Sequence, residues 1–318
     1  MDEKLYIIQF MHPGSEPPIS KKQEEKGKIK FYKGKEEGII YWNDGDKHHR
    51  KFLEIEGKYL TSLNSKPEEA LLCFWGEWEP ESKFKKISDS KPERGFPQYI
   101  HTPIFNKNKK KSKRDLLNTD PFVFCSKFYY TVCQQSKNKN TLRSLGKGSV
   151  ILFGSHLNGN FVLDTVFVVK EFYDYNPNNY KTLDDKYKLP DVYKEVTLDL
   201  LSNEPSMKKC LTKEGCLPEG MLLRFYIGAT YDDPVNGMFS FFPCLPSPTA
   251  FERPIIEGEF ISPELKQGYK KTEVKDLNEM KKYWEKVVDQ VLHQKHYSGQ
   301  QNLYLGIYAN CPEIRTSV

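Results

Sequence analysis

The sequence lacks any apolar run long enough to cross a membrane, which takes about 20 consecutive apolar residues. Its first residues, Met1 to Lys4, are charged and lack the apolar core of a secretory leader. Paired CxxC motifs are absent, and the spacing of Cys210 and Cys216 does not match a zinc site. We therefore expect a cytoplasmic protein with no membrane partner, no metal and no cofactor.

The seven cysteines form no tight framework. Five of them stand in apolar or aromatic surroundings, where buried thiols are common: Cys73, Cys125, Cys133, Cys244 and Cys311. This usage favours a reducing compartment.

The P-loop, GxGxxG, HExxH, EF-hand and GxSxG motifs are absent too, so the sequence gives no motif for those classes of enzyme or binding protein.

What the chain does contain is a globular composition, with 38% hydrophobic and 29% charged residues over 318 positions. We expect one large domain over residues 1–318, with a possible seam in the loop 173–191. Aromatic residues reach 14% and favour strands and flat ligands. Lysine and arginine number 48 against 43 acidic residues, a mild excess that permits a polyanionic partner.

Short apolar runs predict strands at 5–10, 70–75, 149–154, 161–169 and 303–308, the third and fourth forming a hairpin around Asn158-Gly159-Asn160. Residues 278–295 carry an apolar stripe with helical spacing. The polar stretch 174–191 predicts a surface loop. The fold class is therefore α+β, a β-rich mixed sheet or partly open barrel with a few helices, including a C-terminal amphipathic helix.

The most suggestive constellation is the stretch from Phe74 to Pro80, which holds Trp75, Glu77 and Trp78. Alternation along a strand puts Trp75 and Glu77 on one face. Two indoles beside carboxylates would form an aromatic wall suited to a flat base or a sugar ring. The alternative is a core tryptophan followed by a solvated strand end.

A second constellation brings two histidines and two cations close to Trp42 through the turn at Asn43-Asp44-Gly45. Arg50 suits bidentate phosphate binding, and His49 suits acid–base chemistry. Alternation places His49 with Lys51 on one face and Arg50 on the other. The alternative is a hairpin with a basic exposed face.

Further candidates are scattered along the chain. His12, in a Gly-bearing loop after the first strand, and His101 are possible acid–base groups. Asp120 precedes Pro121 and predicts a helix N-cap, although it would also suit stabilisation of a sugar cation. Asp164 is an acid inside an apolar strand, either hydrogen-bonded structure or a site residue. Gln134 offers an amide to a base edge, or lies on a helix surface.

Residues 107–114 hold six basic residues in eight. Such a run fits a loop that follows phosphates, although a solvated loop is the commoner meaning of the pattern. Its candidate phosphate contacts are Lys110, Lys111 and Arg114, alongside Lys51.

In the order of its elements the chain resembles the uracil-DNA glycosylase superfamily. The resemblance rests on His12-Pro13-Gly14 after the first strand and on Pro243-Cys244-Leu245-Pro246-Ser247-Pro248 near the C-terminus, about a tenth of the chain. Leu245 stands where that family usually carries a histidine, and the segment after Glu16 does not have the pattern of the expected helix. Only the role of the first loop carries over, to His12 and Pro13-Gly14.

These observations lead to the hypothesis of a DNA glycosylase-like enzyme that excises a normal or a modified base. Bacterial phage-defence enzymes offer a context for such an activity. The partner would be nucleic acid, DNA rather than RNA, or a nucleotide. Trp75 and Trp78 would stack the base, and Glu77 or Asp120 would act as the carboxylate. The alternatives are a non-catalytic reader of modified nucleic acid or of a nucleotide, and an interaction protein with its tryptophans in the core.

Overall fold

The structure is a computed structural model that describes residues 4–11, 29–32, 39–42, 50–80, 82–88, 96–107, 119–135, 142–177, 179–199, 222–296, 299–300 and 302–316. Its strands are β1 Leu5–Met11, β2 Ile29–Tyr32, β3 Ile39–Trp42, β4 Arg50–Leu60, β5 Glu68–Glu77, β6 Ser82–Lys86, β7 Tyr99–Asn106, β8 Tyr129–Tyr130, β9 Val150–Leu157, β10 Asn160–Tyr175, β11 Leu223–Gly228, β12 Phe242–Pro246, β13 Gly268–Val274, β14 Lys295–His296, β15 Gly299–Gln300, β16 Tyr304–Ala309 and β17 Glu313–Arg315. The helices are α1 Lys181–Tyr187, α2 Asp191–Tyr193, a π-helix at Lys194–Leu198, and α3 Leu277–Leu292.

A six-stranded sheet has the order β13-β1-β9-β10-β11-β8. Strands β1 and β9 run parallel and the other neighbours are antiparallel. The predicted hairpin is confirmed as β9 and β10, joined at Asn158 and Gly159, which both have positive φ. Two such residues are what a tight two-residue hairpin turn requires.

The remaining long strands form a second sheet with the order β16-β12-β5-β4-β7-β6-β3-β2, and β17 pairs with β7. Strand β16 also pairs with β4, so β4, β5, β12 and β16 close into a four-stranded barrel. The predicted fold class, a β-rich α+β protein with a mixed sheet and a barrel, is confirmed.

Alternate residues along the central strands enter two different hydrophobic cores. On β5, Leu72 and Phe74 belong to one core and Cys73 and Trp75 to the other. This division follows from the two-residue period of a strand. It also explains the continuous apolar runs in the sequence, because a strand buried on both faces does not need a polar side.

Helix α3 confirms the predicted amphipathic helix. Asp276 caps it by accepting hydrogen bonds from the backbone N–H groups of Asn278 and Glu279, at 2.9 and 3.0 Å. The apolar stripe is buried, and the Trp284 indole donates a hydrogen bond to the carbonyl of Phe239 at 3.1 Å. No helix in the described part of the chain has the length and apolar character needed to cross a membrane.

Three expectations from the sequence are wrong. Residues 119–128 contain no helix, because Phe122, Phe124 and Phe128 are drawn into the core instead. The stretch 174–191 is not a loop, since it holds the end of β10 and helix α1. Cys125 and Cys311 are not separate thiols but form a disulfide, so neither supports the argument for a reducing compartment.

Gly154 provides a test of the packing between β9 and β10. A Cβ atom at this position would overlap the carbonyl oxygen of Val162 and lie 2.7 Å from the ring of Phe161. We expect Gly154→Ala to lower the free energy of unfolding by about 3 kcal/mol, the upper range for overpacking. Urea denaturation measures this change in the free energy of unfolding.

The control is Gly159→Asn in the same hairpin. Gly159 has a φ of +84° and nothing within 4 Å of an added Cβ, and asparagine tolerates this backbone conformation. This variant should lose less than about 1 kcal/mol. Equal losses in the two variants would contradict the steric explanation.

Candidate functional site

Arg50 and Glu77 form the first part of a buried charged site. They are the first residue of β4 and the last of β5, and they lie opposite each other in the antiparallel pairing. Directly opposed residues project from the same face of a sheet. Both side chains are fully buried, with Arg50 Nη1 3.4 Å from Glu77 Oε2.

Asp164 reaches this pair from the other sheet. It lies in β10, where the pairing with β9 shifts register between Leu163 and Thr165. Such a bulge redirects a side chain that regular alternation would place elsewhere. The carboxylate of Asp164 lies 2.9 Å from Arg50 Nε and 3.3 Å from Arg253 Nε. We call Arg50, Glu77, Asp164 and Arg253 the charge cluster.

Arg253 completes the cluster and packs on an aromatic side chain. Its guanidinium lies 4.4 Å from the centre of the Trp75 ring, a cation–π contact, and Nη1 donates to the hydroxyl of Ser155 at 2.9 Å. The Trp75 indole in turn donates to the carbonyl of Phe251 at 3.1 Å and packs on Phe52. Trp75 and Glu77 thus share a face, as alternation predicts.

The two tryptophans do not form an open aromatic wall. Trp75 is 3% exposed and Trp78 is fully buried. Trp78 belongs to the other core and packs on Phe124 at 5.3 Å. Trp75 borders the charge cluster, where its ring faces Arg253.

The charge cluster is electrically balanced, with two guanidinium groups and two carboxylates. Burying charges is costly unless they are paired and hydrogen-bonded. The contact from Arg50 Nε to Asp164 is an ion pair without hydrogen-bond alignment. Arg50 Nη2 is buried and has no hydrogen-bond partner within the part of the chain that the structure describes. This guanidinium therefore has donor capacity that the described residues do not use.

Asp120 occupies a buried polar position near the cluster, not a helix cap. Its carboxylate accepts hydrogen bonds from the backbone N–H groups of Thr131, Val132 and Cys133, at 3.1, 2.9 and 2.8 Å. Burial raises the pKa of the Cys133 thiol well above 9.0, and the Asp120 and Glu77 carboxylates raise it further, while Arg50 opposes them. The hydroxyl of Thr119, next to Asp120, accepts a hydrogen bond from the N–H group of Glu79, two residues beyond Glu77, at 3.4 Å.

Two other predicted site residues are built into the fold. Lys51 is buried on the opposite face of β4 from Arg50, and its ammonium donates to the carbonyl of Pro80 at 3.0 Å. His101 is buried in β7, with Nδ1 2.9 Å from the Ser82 hydroxyl and its ring near that of Phe84. A third, Gln134, lies partly buried in the turn that Asp120 holds.

Several candidates cannot be placed. His12, His49, Lys110, Lys111 and Arg114 lie outside the described residues. The backbone of Trp42 pairs with Ile29 in the β2–β3 hairpin. His12 directly follows β1, whose last residue pairs with Gly154, the neighbour of Ser155. His49 directly precedes Arg50. Both histidines are therefore adjacent in sequence to strands that border the cluster.

Arg253 is the residue that the sequence did not reveal. It stands between Glu252 and Pro254 in an irregular segment, with no periodicity to indicate burial. Asp164 could be recognised from the sequence, because an acid within an apolar strand requires a partner.

Among the described residues, no group of three or more His, Cys, Asp or Glu side chains is arranged to hold a metal ion.

The fold and the site define a β-rich α+β protein with a buried, balanced charge cluster between a sheet and a small barrel. Comparison with known proteins adds no family to this description: no family model matches the chain, and searches of curated proteins and of solved structures found no significant match.

The cluster makes a prediction about stability. Asp164→Asn removes the carboxylate between two buried guanidinium groups. We expect a loss of about 3 kcal/mol or more in the free energy of unfolding, as for other broken buried pairs. The measurement is urea denaturation at neutral pH.

Asp174→Asn on the same strand is the matched control. Asp174 also pairs with an arginine, Arg224, at 2.7 Å, but its side chain is 41% exposed. Solvent screening limits such a pair to about 1 kcal/mol or less. A similar loss in both variants would show that burial does not determine the strength of the Asp164 pairing.

Proposed function

We propose that this chain binds a nucleotide, either free or as a unit of nucleic acid, at the charge cluster. The observation that carries the proposal is the buried guanidinium of Arg50, which contacts two carboxylates and retains an Nη2 group without a hydrogen-bond partner among the described residues. A buried donor left unsatisfied costs about 1–3 kcal/mol. An oxygen of a phosphate would satisfy it, and a guanidinium is the side chain best suited to phosphate geometry.

The surroundings of the cluster support a ligand that also carries a ring. Phe52, Trp75 and Phe251 pack together beside Arg253. Aromatic faces and arginine planes are the groups on which bases stack. The mild basic excess of the chain and the basic run that begins at Lys107 are compatible with a phosphate-bearing partner.

Arg50→Lys tests this proposal. The variant keeps the positive charge beside Asp164 and Glu77 but loses the planar fork of donors. We expect the full-length protein to bind deoxynucleoside monophosphates or a short single-stranded oligonucleotide, and the variant to bind them at least about tenfold more weakly, the effect of one charged hydrogen bond. Equilibrium dialysis measures the dissociation constants of the unmodified protein and of the variant. A matching RNA oligonucleotide tests the expected preference for DNA.

Arg224→Lys is the control, because Arg224 also pairs with a carboxylate, that of Asp174, but this pair is partly exposed, with the two side chains 15% and 41% exposed. Its affinity for the same ligands should be unchanged. Failure of the unmodified protein to bind any of these ligands would reject the proposal, and so would equal weakening by the two substitutions.

A second candidate function, excision of a base from DNA, is favoured by one observation. Glu77 and Asp164 bring two carboxylates to the same guanidinium. Carboxylates stabilise the cationic sugar that forms when a glycosidic bond breaks, or orient the attacking water. Glu77 would take this role with a base extruded from the duplex, and His12 or His49 would assist the leaving base.

Base excision is tested by incubating the protein with normal and modified DNA and detecting released bases by mass spectrometry. We expect abasic sites to form with the unmodified protein, and Glu77→Gln to abolish at least about 99% of the activity, the scale of a lost catalytic group. Glu68→Gln, at the other end of β5, is the control, since its carboxylate accepts a hydrogen bond from Tyr59 at 2.8 Å and does not belong to the charge cluster. Full activity in Glu77→Gln would exclude this role.

A further inference from the structure

The disulfide between Cys125 and Cys311 joins parts of the chain that are 186 residues apart. Cys125 lies in the turn before β8, a strand of the six-stranded sheet, and Cys311 lies between β16 and β17 of the second sheet. Beside the bond, the N–H group of Ser126 donates to the carbonyl of Ala309 at 3.5 Å, which is long for a hydrogen bond. The disulfide is therefore the stronger of these two links between the segment that follows β16 and the other sheet.

This disulfide lies at the surface. Cys311 is exposed and Cys125 is partly exposed, and the next two residues, Ser126 and Lys127, are exposed as well. A disulfide is reduced when a thiolate attacks one of its sulfur atoms, so access from solvent controls the rate. Exposed disulfides belong to the labile class, whereas buried and unstrained ones resist reduction.

The turn that carries Cys125 has an unfavourable backbone conformation. Cys125 has a φ of +61° and Ser126 a φ of +66°, so two consecutive residues other than glycine lie in the left-handed region. Residues with a Cβ atom persist in that region only where the surrounding structure imposes it. Here the covalent bond to Cys311 imposes it. Breaking the bond allows the turn to leave this conformation, which favours the reduced form.

The three free cysteines of the described part of the chain are poor competitors for this bond. Burial raises the pKa of the Cys73 thiol to about 12, and it raises the pKa values of Cys133 and Cys244 well above the ordinary value. Thiol–disulfide exchange requires a thiolate. At neutral pH these three thiols therefore stay protonated, and a reductant from solvent is needed to open the disulfide.

We propose that Cys125 and Cys311 form a reversible redox site that holds β17 on the sheet. Two of the three side chains of β17 are exposed, so its pairing with β7 buries little surface. The disulfide anchors the chain two residues before this strand begins. Once it opens, β17 keeps its pairing with β7 but loses the covalent anchor. This inference is independent of the proposed nucleotide binding.

The reductant is a dithiol, for which dithiothreitol is the probe. One thiolate of the reagent attacks a sulfur of the Cys125–Cys311 pair, and the Sγ–Sγ bond breaks. The second thiol of the reagent then displaces the remaining cysteine and closes the reagent into a cyclic disulfide. The two cysteines gain two electrons and two protons, which the reagent supplies.

The test uses the full chain with Cys210 and Cys216 replaced by serine, because these two cysteines lie outside the described residues. The protein is equilibrated with graded ratios of reduced to oxidised dithiothreitol, alkylated, and analysed by mass spectrometry. We expect the disulfide to open while circular dichroism still shows folded protein. Hydrogen exchange of the amides in residues 313–315 should then become at least about tenfold faster, with those of β9 unchanged.

The substitution Ser126→Gly tests the contribution of the backbone. Glycine adopts the left-handed region without the cost of a Cβ atom, so the oxidised form gains stability. Its half-reduction should need a ratio of reduced to oxidised reagent about fivefold higher or more, the effect of one left-handed residue. Ser126→Ala is the matched control. It keeps the Cβ atom and loses the hydroxyl that donates to the carbonyl of Cys125 at 2.5 Å, so it should need no higher ratio.

Three results would overturn the proposal. A disulfide that opens only when the whole protein unfolds would reject a reversible site. Unchanged hydrogen exchange in residues 313–315 after reduction would reject the hold on β17. An equal shift in Ser126→Gly and Ser126→Ala, or no shift in Ser126→Gly, would reject the contribution of the left-handed backbone.

Discussion

The placement of Asp164 between two guanidinium groups is the interaction on which the centre of this structure depends. The carboxylate comes from the six-stranded sheet, and Arg50 comes from the barrel. Arg253, from an irregular segment, completes the set. Removing any of these charges from water is unfavourable by several kcal/mol, so each is tolerated only because the others are present. Asp164 and its two arginines thereby fix how the sheet and the barrel meet.

The fold could be predicted where the pattern is local. The β9–β10 hairpin and helix α3 each carry their own periodicity and their own turn or cap, so neighbouring residues suffice to define them. The errors arose where composition conflicts with packing. Asp120-Pro121 has the residue types of a helix start, but the aromatic side chains that follow are buried in the core and their burial outweighs the local preference. The polar stretch 174–191 conceals helix α1 for a similar reason.

The sequence grouped part of the candidate site but did not reveal its surroundings. Trp75, Glu77 and Arg50 border one site, as proposed from the sequence. Their surroundings depend on Asp164 and Arg253, which are distant in the chain and reach the site through a bulge and an irregular segment. No spacing in the sequence indicates such an encounter. The sequence alone therefore does not distinguish an exposed aromatic wall from a buried network of ion pairs, because the residues that decide between them are distant in the chain.

The neutral charge of the cluster constrains how it would hold a ligand. Lys51, the nearest cation in sequence, lies on the opposite face of β4, where it donates to the carbonyl of Pro80. A bound phosphate would therefore be held by directed N–H donors, chiefly Arg50, and not by an excess of positive charge. The cationic sugar of a base-excision reaction would instead be stabilised by the carboxylates of the same network. One neutral cluster thus supports either proposal, and the group that faces the ligand, guanidinium or carboxylate, determines which chemistry follows.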